Sequence, residues 1–210
     1  MTSTNAVKSI WEKLVLKYTS DLFLIEELWL ELKESYTSVD RYYHNFEHIN
    51  LMLELAEKYS QLISQQHQLI FAIFYHDVIY KATRSDNEEK SAALAVKRLR
   101  ELGFPEEATA EVHEMILATK KHLQSNKSDT NLILDFDLAI LGSDWESYHN
   151  YTQQIRKEYS FYPDMLYRPG RAKVLKHFLQ QPCIYKTAVF RDALELKARE
   201  NLTKELNLLR

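Results

Sequence analysis

The chain has 210 residues, enough for one large domain or two small ones with a substantial hydrophobic core. Its 45% hydrophobic and 27% charged residues are ordinary for a globular protein, and three glycines and four prolines are too few for a fold rich in tight turns. The formal net charge is −3 and the sequence has no basic block, so we expect neither nucleic acid nor a membrane surface as a partner.

The cysteine content and the apolar runs bear on the compartment. Cys183 is the single cysteine, which excludes an internal disulfide and suits a reducing compartment. The first 17 residues are polar and amphipathic, without the apolar core of a signal peptide, and no apolar run approaches membrane-spanning length. We therefore expect a cytoplasmic protein.

Apolar residues recur at helical spacing along almost the whole chain, beginning with Ile10, Leu14 and Tyr18. Capping residues and helix breakers divide this pattern, and Gly103 ends one of the helices. After the first helix, the pattern predicts helices that begin near residues 20 and 45 and then cover about 65–80, 87–102, 105–122, 132–141, 145–159, 165–179 and 190–209. Residues 124–130 are the most loop-like stretch.

This succession of helices has no repeat, no low-complexity tract and no convincing linker. It therefore predicts an all-α fold, with residues 1–210 forming a single domain of about ten helices.

Three polar clusters interrupt or end the apolar helices, where polar groups without partners are costly to bury. The first contains His44 and His48, which are four residues apart and would share one face of a helix. The second is the pair His76 and Asp77 at the end of an apolar run, and the third is Asp137 within another apolar run.

Four residues of these clusters offer two imidazoles and two carboxylates: His48, His76, Asp77 and Asp137. Mixed nitrogen and oxygen ligands suit a divalent Mn, Fe, Zn, Mg or Co ion with open positions for water and substrate. Each cluster also has a plainer interpretation. Asp137 could cap a helix or pair with an arginine, His44 could be a hydrogen-bonded loop residue, and water could satisfy His76 and Asp77 at a helix end. Their joint occurrence favours the metal.

The order His, His-Asp, Asp resembles the HD superfamily of metal-dependent phosphohydrolases, whose four ligands come in this order from an all-α bundle. Residues 43–48, Tyr-His-Asn-Phe-Glu-His, resemble the Tyr-His-Asn-x-x-His signature of the class I cyclic-nucleotide phosphodiesterases, and Asp-Leu at 137–138 resembles their fourth ligand. Residues 75–77, 87–92 and 135–142 are also similar to motifs of a group of small, uncharacterised bacterial HD phosphohydrolases.

The resemblance covers about residues 40–142. It implies an HD-type domain with its metal-site core there and with C-terminal helices, 143–210, packing on that core. It also implies four metal ligands for one or two ions: His48, His76, Asp77 and Asp137. Some HD proteins add a histidine that holds a second metal, and His122 is the candidate here.

The activity implied is hydrolysis of a small phosphoester, for which a nucleotide is the leading candidate, by a metal-activated water. His44 would protonate the leaving group, and Asp77 could bridge two metals. Glu88 would act as a base or substrate contact, although an acidic residue there also suits the start of a helix. Two other functions stay open: a di-iron HD-type oxygenase, to which His122 would contribute, and a non-catalytic ligand-binding module.

Four further residues are candidates for substrate binding: Asn45, Asn87, Arg156 and Arg171. The two arginines would be natural clamps for a phosphate, and structural salt bridges with nearby glutamates are the alternative. We expect Arg171 to follow a Pro-Gly turn. The sequence leaves the oligomeric state open, and we consider a homodimer.

Overall fold

The structure of the chain, a computed structural model, describes residues 3–209. These residues form a single-domain bundle of α-helices without a β-strand, which confirms the all-α prediction. The ten helices, α1 to α10, are Ser3–Val15, Leu22–Tyr36, Phe46–Lys58, Gln66–Tyr75, Asn87–Glu101, Glu106–Ala118, Ser128–Asp137, Trp145–Glu158, Asp164–Gln180 and Ala188–Leu208. Two short 3₁₀ turns cover Ser60–Leu62 and Ala139–Gly142. Within residues 3–209, no helix is both long enough and apolar enough to cross a membrane.

Helix α4 is the centre of the bundle. Leu69 and every residue from 71 to 75 are buried, and α4 contacts α3, α5, α6 and α7. Trp11 of α1 packs edge-on against Phe74, with ring centroids 5.2 Å apart. Because α4 is enclosed by other helices, the polar residues that follow it emerge inside the protein rather than at its surface.

Two buried carboxylates of α7 fix the starts of other helices. Asp129 accepts hydrogen bonds from the two backbone N–H groups immediately before α4, at 3.0 and 2.6 Å. Asp135 accepts from the N–H groups of Lys186 and Thr187, at 2.6 and 2.8 Å, just before α10. Such N–H groups at a helix start have no partner within the helix, so these bonds stabilise the starts of α4 and α10.

Three predicted helices end earlier than the apolar pattern suggests, and one of them, α7, ends at Asp137 rather than at residue 141 and is followed by a 3₁₀ turn. Helix α4 ends at Tyr75 rather than near residue 80 because Arg41 donates to the carbonyls of Asp77 and Val78, at 2.6 and 2.8 Å, and holds both outside a helix. Helix α6 ends at Ala118 rather than at residue 122, because the N–H groups of residues 119–121 bond to carbonyls only three residues back. His122 then has a φ of +48°, in the left-handed region, and cannot continue the helix.

Two predicted irregular segments are partly helical. Helix α7 begins at Ser128, inside the stretch 124–130, and the side chain of Asn131 bonds both backbone groups of Ser125 at 2.9 Å to close the preceding loop. The expected Pro-Gly turn before Arg171 is wrong, because Pro169 and Gly170 lie within α9.

The three glycines stand in different surroundings, and Gly142 has the tightest. It lies where the 3₁₀ turn after α7 meets α10, and a Cβ atom there would be 2.6 Å from Cβ of Leu194 and 2.9 Å from the hydroxyl of Tyr185. Gly170 of α9 has open space around the same position.

We predict opposite effects of the same substitution at these two glycines. Gly142→Ala should lower the free energy of unfolding by about 1–3 kcal/mol, since α10 must shift to admit the methyl group. Gly170→Ala should leave it unchanged or raise it by up to about 1 kcal/mol, because alanine favours the helix. Urea unfolding of both variants measures the two changes, and equal effects would contradict the close packing of α10 on this turn.

Candidate metal centre

The predicted metal ligands lie at helix ends that meet inside the bundle. His48 is in the first turn of α3, His76 and Asp77 directly follow α4, and Asp137 is the last residue of α7. His44 belongs to the short loop before α3. Residues that are far apart in sequence therefore come together because three helices start or end at one place.

Three donor atoms form a compact triangle. The Nε2 atom of His48 lies 3.3 Å from Nε2 of His76 and 3.2 Å from Oδ1 of Asp137, and the third side of the triangle is 3.8 Å. A point equidistant from all three atoms would lie roughly 2 Å from each, the length of a metal–ligand bond to zinc. His48, His76 and Asp137 are thus a group that could hold a metal ion.

The imidazole of His76 is held in the orientation that a ligand needs. Its Nδ1 atom lies 2.9 Å from the carbonyl of Ile73, so in the neutral ring Nδ1 carries the proton and Nε2 presents a lone pair to the triangle. Burial lowers the pKa of His76, but Asp77 and Asp137 outweigh burial and raise the pKa to about 9. Metal binding at neutral pH should therefore release this proton, and affinity should fall as the pH falls.

His48, unlike His76, is neutral at neutral pH. Burial lowers its pKa, and the opposing effect of Asp137 does not reverse the shift. Its Nδ1 atom is buried and has no hydrogen-bond partner within the described part of the chain. A buried neutral imidazole whose Nε2 faces a carboxylate and a second imidazole has the donor chemistry that a divalent cation requires.

Asp77 lies next to this triangle and faces His44. Its Oδ2 atom is 3.2 Å from Nε2 of His76 and 3.9 Å from Nε2 of His44. The close group of three donor atoms does not include it. Burial raises the pKa of Asp77, but the neighbouring His76 outweighs burial and holds the pKa below its usual range, so the carboxylate is ionised.

His122 approaches the triangle from the opposite side of Asp137. Its Nε2 atom lies 2.9 Å from Oδ2 of Asp137, whereas Oδ1 of the same carboxylate faces His48. The left-handed backbone of His122, which costs energy in a residue with a side chain, turns this histidine toward the site. Asp137 thus presents Oδ1 to His48 and Oδ2 to His122. His122 therefore lies directly beside the donor triangle.

Glu158, at the end of α8, positions His44 and was given no role by the sequence. Its Oε1 atom accepts the backbone N–H groups of Tyr42, Tyr43 and His44 at 2.8, 2.7 and 3.0 Å. Its Oε2 atom lies 2.6 Å from Nδ1 of His44 and accepts the hydroxyl of Tyr80 at 3.1 Å. One carboxylate therefore fixes both the loop and the imidazole.

This contact also sets the charge of His44. Burial lowers the pKa of His44, but the hydrogen bond to Glu158 and the nearby Asp77 outweigh it and raise the pKa. Because Nδ1 is bonded to Glu158, the other ring nitrogen, Nε2, points toward Asp77. The helical pattern of α8 could have revealed Glu158. This acidic residue lies on the same inner face as the buried Tyr148 and Ile155, at a position where an apolar residue is expected.

Arg41 is a second residue that the sequence did not reveal. Its guanidinium joins the loop before α3 to the segment after α4, since it donates to the carbonyl of His44 at 3.2 Å as well as to that of Asp77. It lies between the rings of Tyr36 and Tyr80, 5.0 and 5.5 Å from their centroids. Arg41 therefore sets the spacing between His44 and Asp77.

The predicted substrate-binding asparagines hold backbone instead. Asn45 caps α3, where it accepts the N–H of Glu47 at 2.8 Å and donates to the carbonyl of Tyr42 at 2.9 Å. Asn87 bonds both backbone groups of Lys81, at 3.1 and 3.0 Å. Glu88 lies in the first turn of α5, where its charge favours the helix start. These contacts are structural, and the predicted roles of the three residues in substrate binding or catalysis stay predictions.

For the two arginines, the contacts match the salt-bridge alternative. Arg171 forms a two-fold bond with Glu205, at 2.7 and 3.0 Å, and both side chains are buried. Arg156 pairs with Asp164 at 2.8 Å and donates to the carbonyls of Tyr159 and Tyr162, at 2.9 and 3.0 Å. Both guanidinium groups thus join C-terminal segments to one another.

Comparisons of the chain with protein-family models, with curated proteins and with solved structures found no match. What can be said of the site therefore comes from its own geometry.

The triangle predicts that a divalent ion stabilises the folded chain. After removal of metals with EDTA, a binding ion among Mn²⁺, Fe²⁺, Zn²⁺ and Co²⁺ at 100 times its dissociation constant should add about 2.7 kcal/mol to the free energy of unfolding. Asp137→Asn keeps the shape of the side chain but should lose most of this gain. The control is His177→Gln on the exposed face of α9, which should respond as the wild type does. Equal stabilisation of the Asp137→Asn protein would place the ion elsewhere.

The contact between Glu158 and His44 predicts a change in titration. In the metal-free protein, Glu158→Gln should lower the pKa of His44, because the hydrogen bond that favours the imidazolium becomes weaker. The stability that protonated His44 contributes is complete below its unfolded pKa, about 6.5, and is lost as the pH rises through the raised value. NMR titration of the imidazole measures the pKa.

The matched control for this titration is Glu195→Gln. Glu195, like Glu158, accepts hydrogen bonds from backbone N–H groups. Its two donors are Ile184 and Tyr185, which lie in the segment before α10. Its replacement should leave the pKa of His44 unchanged. A pKa of His44 that falls equally in both variants would mean that loosened packing, and not the bond to Glu158, is responsible.

Proposed function

We propose that this chain is a metal-dependent hydrolase of small phosphoesters, of the HD type that its motifs resemble, and that nucleotides are among its substrates. One observation carries the proposal: His44, whose Nδ1 is held by Glu158, directs its other nitrogen at Asp77, beside the triangle that could hold a metal. A metal that activates water, with an acid beside it that protonates the leaving group, is a combination that catalyses hydrolysis of a phosphoester.

The residues that would hold the ion are His48, His76 and Asp137, with Asp77 as a further carboxylate at its edge. A divalent ion supplies Lewis acidity: it polarises a phosphoryl oxygen and lowers the pKa of a water bound to it. Asp77, ionised and facing His44, would orient the attacking water as a hydrogen-bond acceptor. Its partner His76 keeps the carboxylate in place.

His44 supplies the proton in this proposal. Its raised pKa keeps a larger fraction of the ring protonated near neutral pH, and its Nδ1 bond to Glu158 leaves the Nε2 proton free to move to the leaving oxygen. Glu158 acts through His44 as a positioning residue. The carboxylate is buried and fully used by the loop and the ring, so the ring has little freedom to turn away.

His122 favours a two-ion version of the same centre. His122 and Asp137, whose side chains are in contact, are the residues that would hold a second ion. The same arrangement is what the di-iron oxygenase alternative would use. Elemental analysis and absorption spectroscopy of freshly purified protein separate the hydrolase from the oxygenase. Two irons per chain with an oxidised-iron absorption band would favour the oxygenase.

The proposal predicts that replacement of His44 affects substrates according to their leaving groups. With metal bound, His44→Asn should lower kcat for phenyl phosphate by about 10²–10⁴-fold, because phenolate needs a proton to leave. The loss should be much smaller for p-nitrophenyl phosphate, whose leaving group is stable as an anion. Steady-state rates of the two esters with the same enzyme preparations give the comparison.

Two further variants separate the acid from the metal. Asp137→Asn and Asp77→Ala should lower the rates of both esters together and reduce the metal content, whereas His44→Asn should keep its metal. Equal losses of both esters on His44→Asn would remove His44 as the acid. If metal-loaded wild type hydrolyses neither ester nor any nucleoside monophosphate, the proposed activity is wrong.

A further inference from the structure

A cavity of about 470 Å³ opens at the other side of α8 from Glu158, between α8, α9 and the end of α10. Its walls come from these three C-terminal helices, whereas the donor triangle comes from α3, α4 and α7. The volume lies within the range of cavities that bind small molecules, roughly 300–1,000 Å³. The cavity is therefore a separate candidate site.

Cationic side chains outnumber acidic side chains around the cavity. Arg156, Lys157 and Arg168 line it, and Lys204 extends over the adjoining ring of Trp145 with its ammonium 3.6 Å from the ring centroid. The lining also contains two acids, and both are already paired: Asp164 with Arg156 at 2.8 Å and more distantly with Arg168 at 4.0 Å, and Glu205 with Arg171. In a chain whose net charge is −3, this concentration of cations favours an anionic ligand.

Aromatic rings provide a second feature of the same cavity. Trp145 lies nearly parallel to His149, with centroids 5.6 Å apart and an angle of 21°. Tyr167 forms another wall and carries the guanidinium of Arg156 at 4.6 Å from its centroid. His149 and Lys204 are exposed, so a planar ligand can take the place of either against the indole. Rings of this kind bind flat aromatic groups by stacking.

We propose that this cavity binds a small molecule that joins a flat aromatic ring to an anionic group, the chemistry of a nucleoside monophosphate. The ring would stack on Trp145 or Tyr167, and the anion would lie between Lys157 and Arg168. Arg156 and Glu205 form the walls and keep their own partners. Binding here does not depend on the proposed hydrolase activity, because no residue of the donor triangle takes part.

The test measures binding of AMP to the full chain in the presence of EDTA, by calorimetry and by fluorescence. Trp11 and Trp29 are buried in the core, so a change in tryptophan emission on binding reports on Trp145. AMP should bind saturably with a dissociation constant below about 1 mM. Adenosine, which lacks the anion, and ribose 5-phosphate, which lacks the ring, should each bind at least about tenfold more weakly.

Variants assign the binding to the cavity. The double variant Lys157→Gln, Arg168→Gln should weaken AMP binding at least about tenfold. The matched control, Lys13→Gln, Lys97→Gln, removes the same charge from exposed positions of α1 and α5 and should bind as the wild type does. Trp145→Leu should abolish the fluorescence response and weaken binding measured by calorimetry.

Several outcomes would overturn the proposal. The first is no saturable binding of AMP up to about 5 mM. Another is adenosine binding as tightly as AMP, which would make the anion irrelevant. A third is equal weakening by the control and the cavity double variants, which would indicate non-specific charge attraction. The last is loss of binding in Asp137→Asn with retention in the cavity double variant, which would move AMP to the metal centre. In that case the hydrolase proposal would stand without a second site.

Discussion

The buried cluster of two imidazoles and a carboxylate is the constraint on which the rest of the structure depends. His48, His76 and Asp137 lie within 4 Å of one another in the interior, where unpaired polar groups are costly. They reach this place only because α3 starts, and α4 and α7 end, at one point. Asn45 caps the start of α3, and Arg41 binds the carbonyls of Asp77 and Val78 where α4 ends. The geometry of the cluster therefore depends on where these three helices start and end.

The C-terminal helices also help to position residues beside the cluster. Glu158 of α8 accepts five hydrogen bonds, four from the loop before α3 and one from Tyr80. These bonds fix the position of His44. Arg171 and Glu205 in turn join α9 to α10 behind α8. A fragment that ended after α7 would contain the three residues that could hold a metal but would lack Glu158, which orients His44. The proposed chemistry thus needs the whole chain and not only its motifs.

Most of the fold, and three residues that could hold a metal ion, could be predicted from the sequence because both depend on local patterns. Apolar spacing of 3.6 residues defines amphipathic helices, and a polar residue that interrupts it, such as His76 or Asp137, is visible at once. The errors came where a distant group acts on the backbone. Arg41 ends α4 early by binding two carbonyls, and local spacing carries no sign of it. For Arg156 and Arg171, the sequence left phosphate clamps and salt bridges as alternatives, because the carboxylates that they contact lie eight and 34 residues away.

The sequence by itself determined the all-α class, the number of helices and the residues with ligand chemistry, since side-chain type and periodicity are properties of short segments. Only the tertiary structure decided which of these residues meet. It brought His122 to the second oxygen of Asp137, left Asp77 at the edge of the triangle, and gave His44 its partner 114 residues away in Glu158. The physical reason is that distances of about 3 Å between side chains depend on how helix ends pack, and packing is a property of the whole chain.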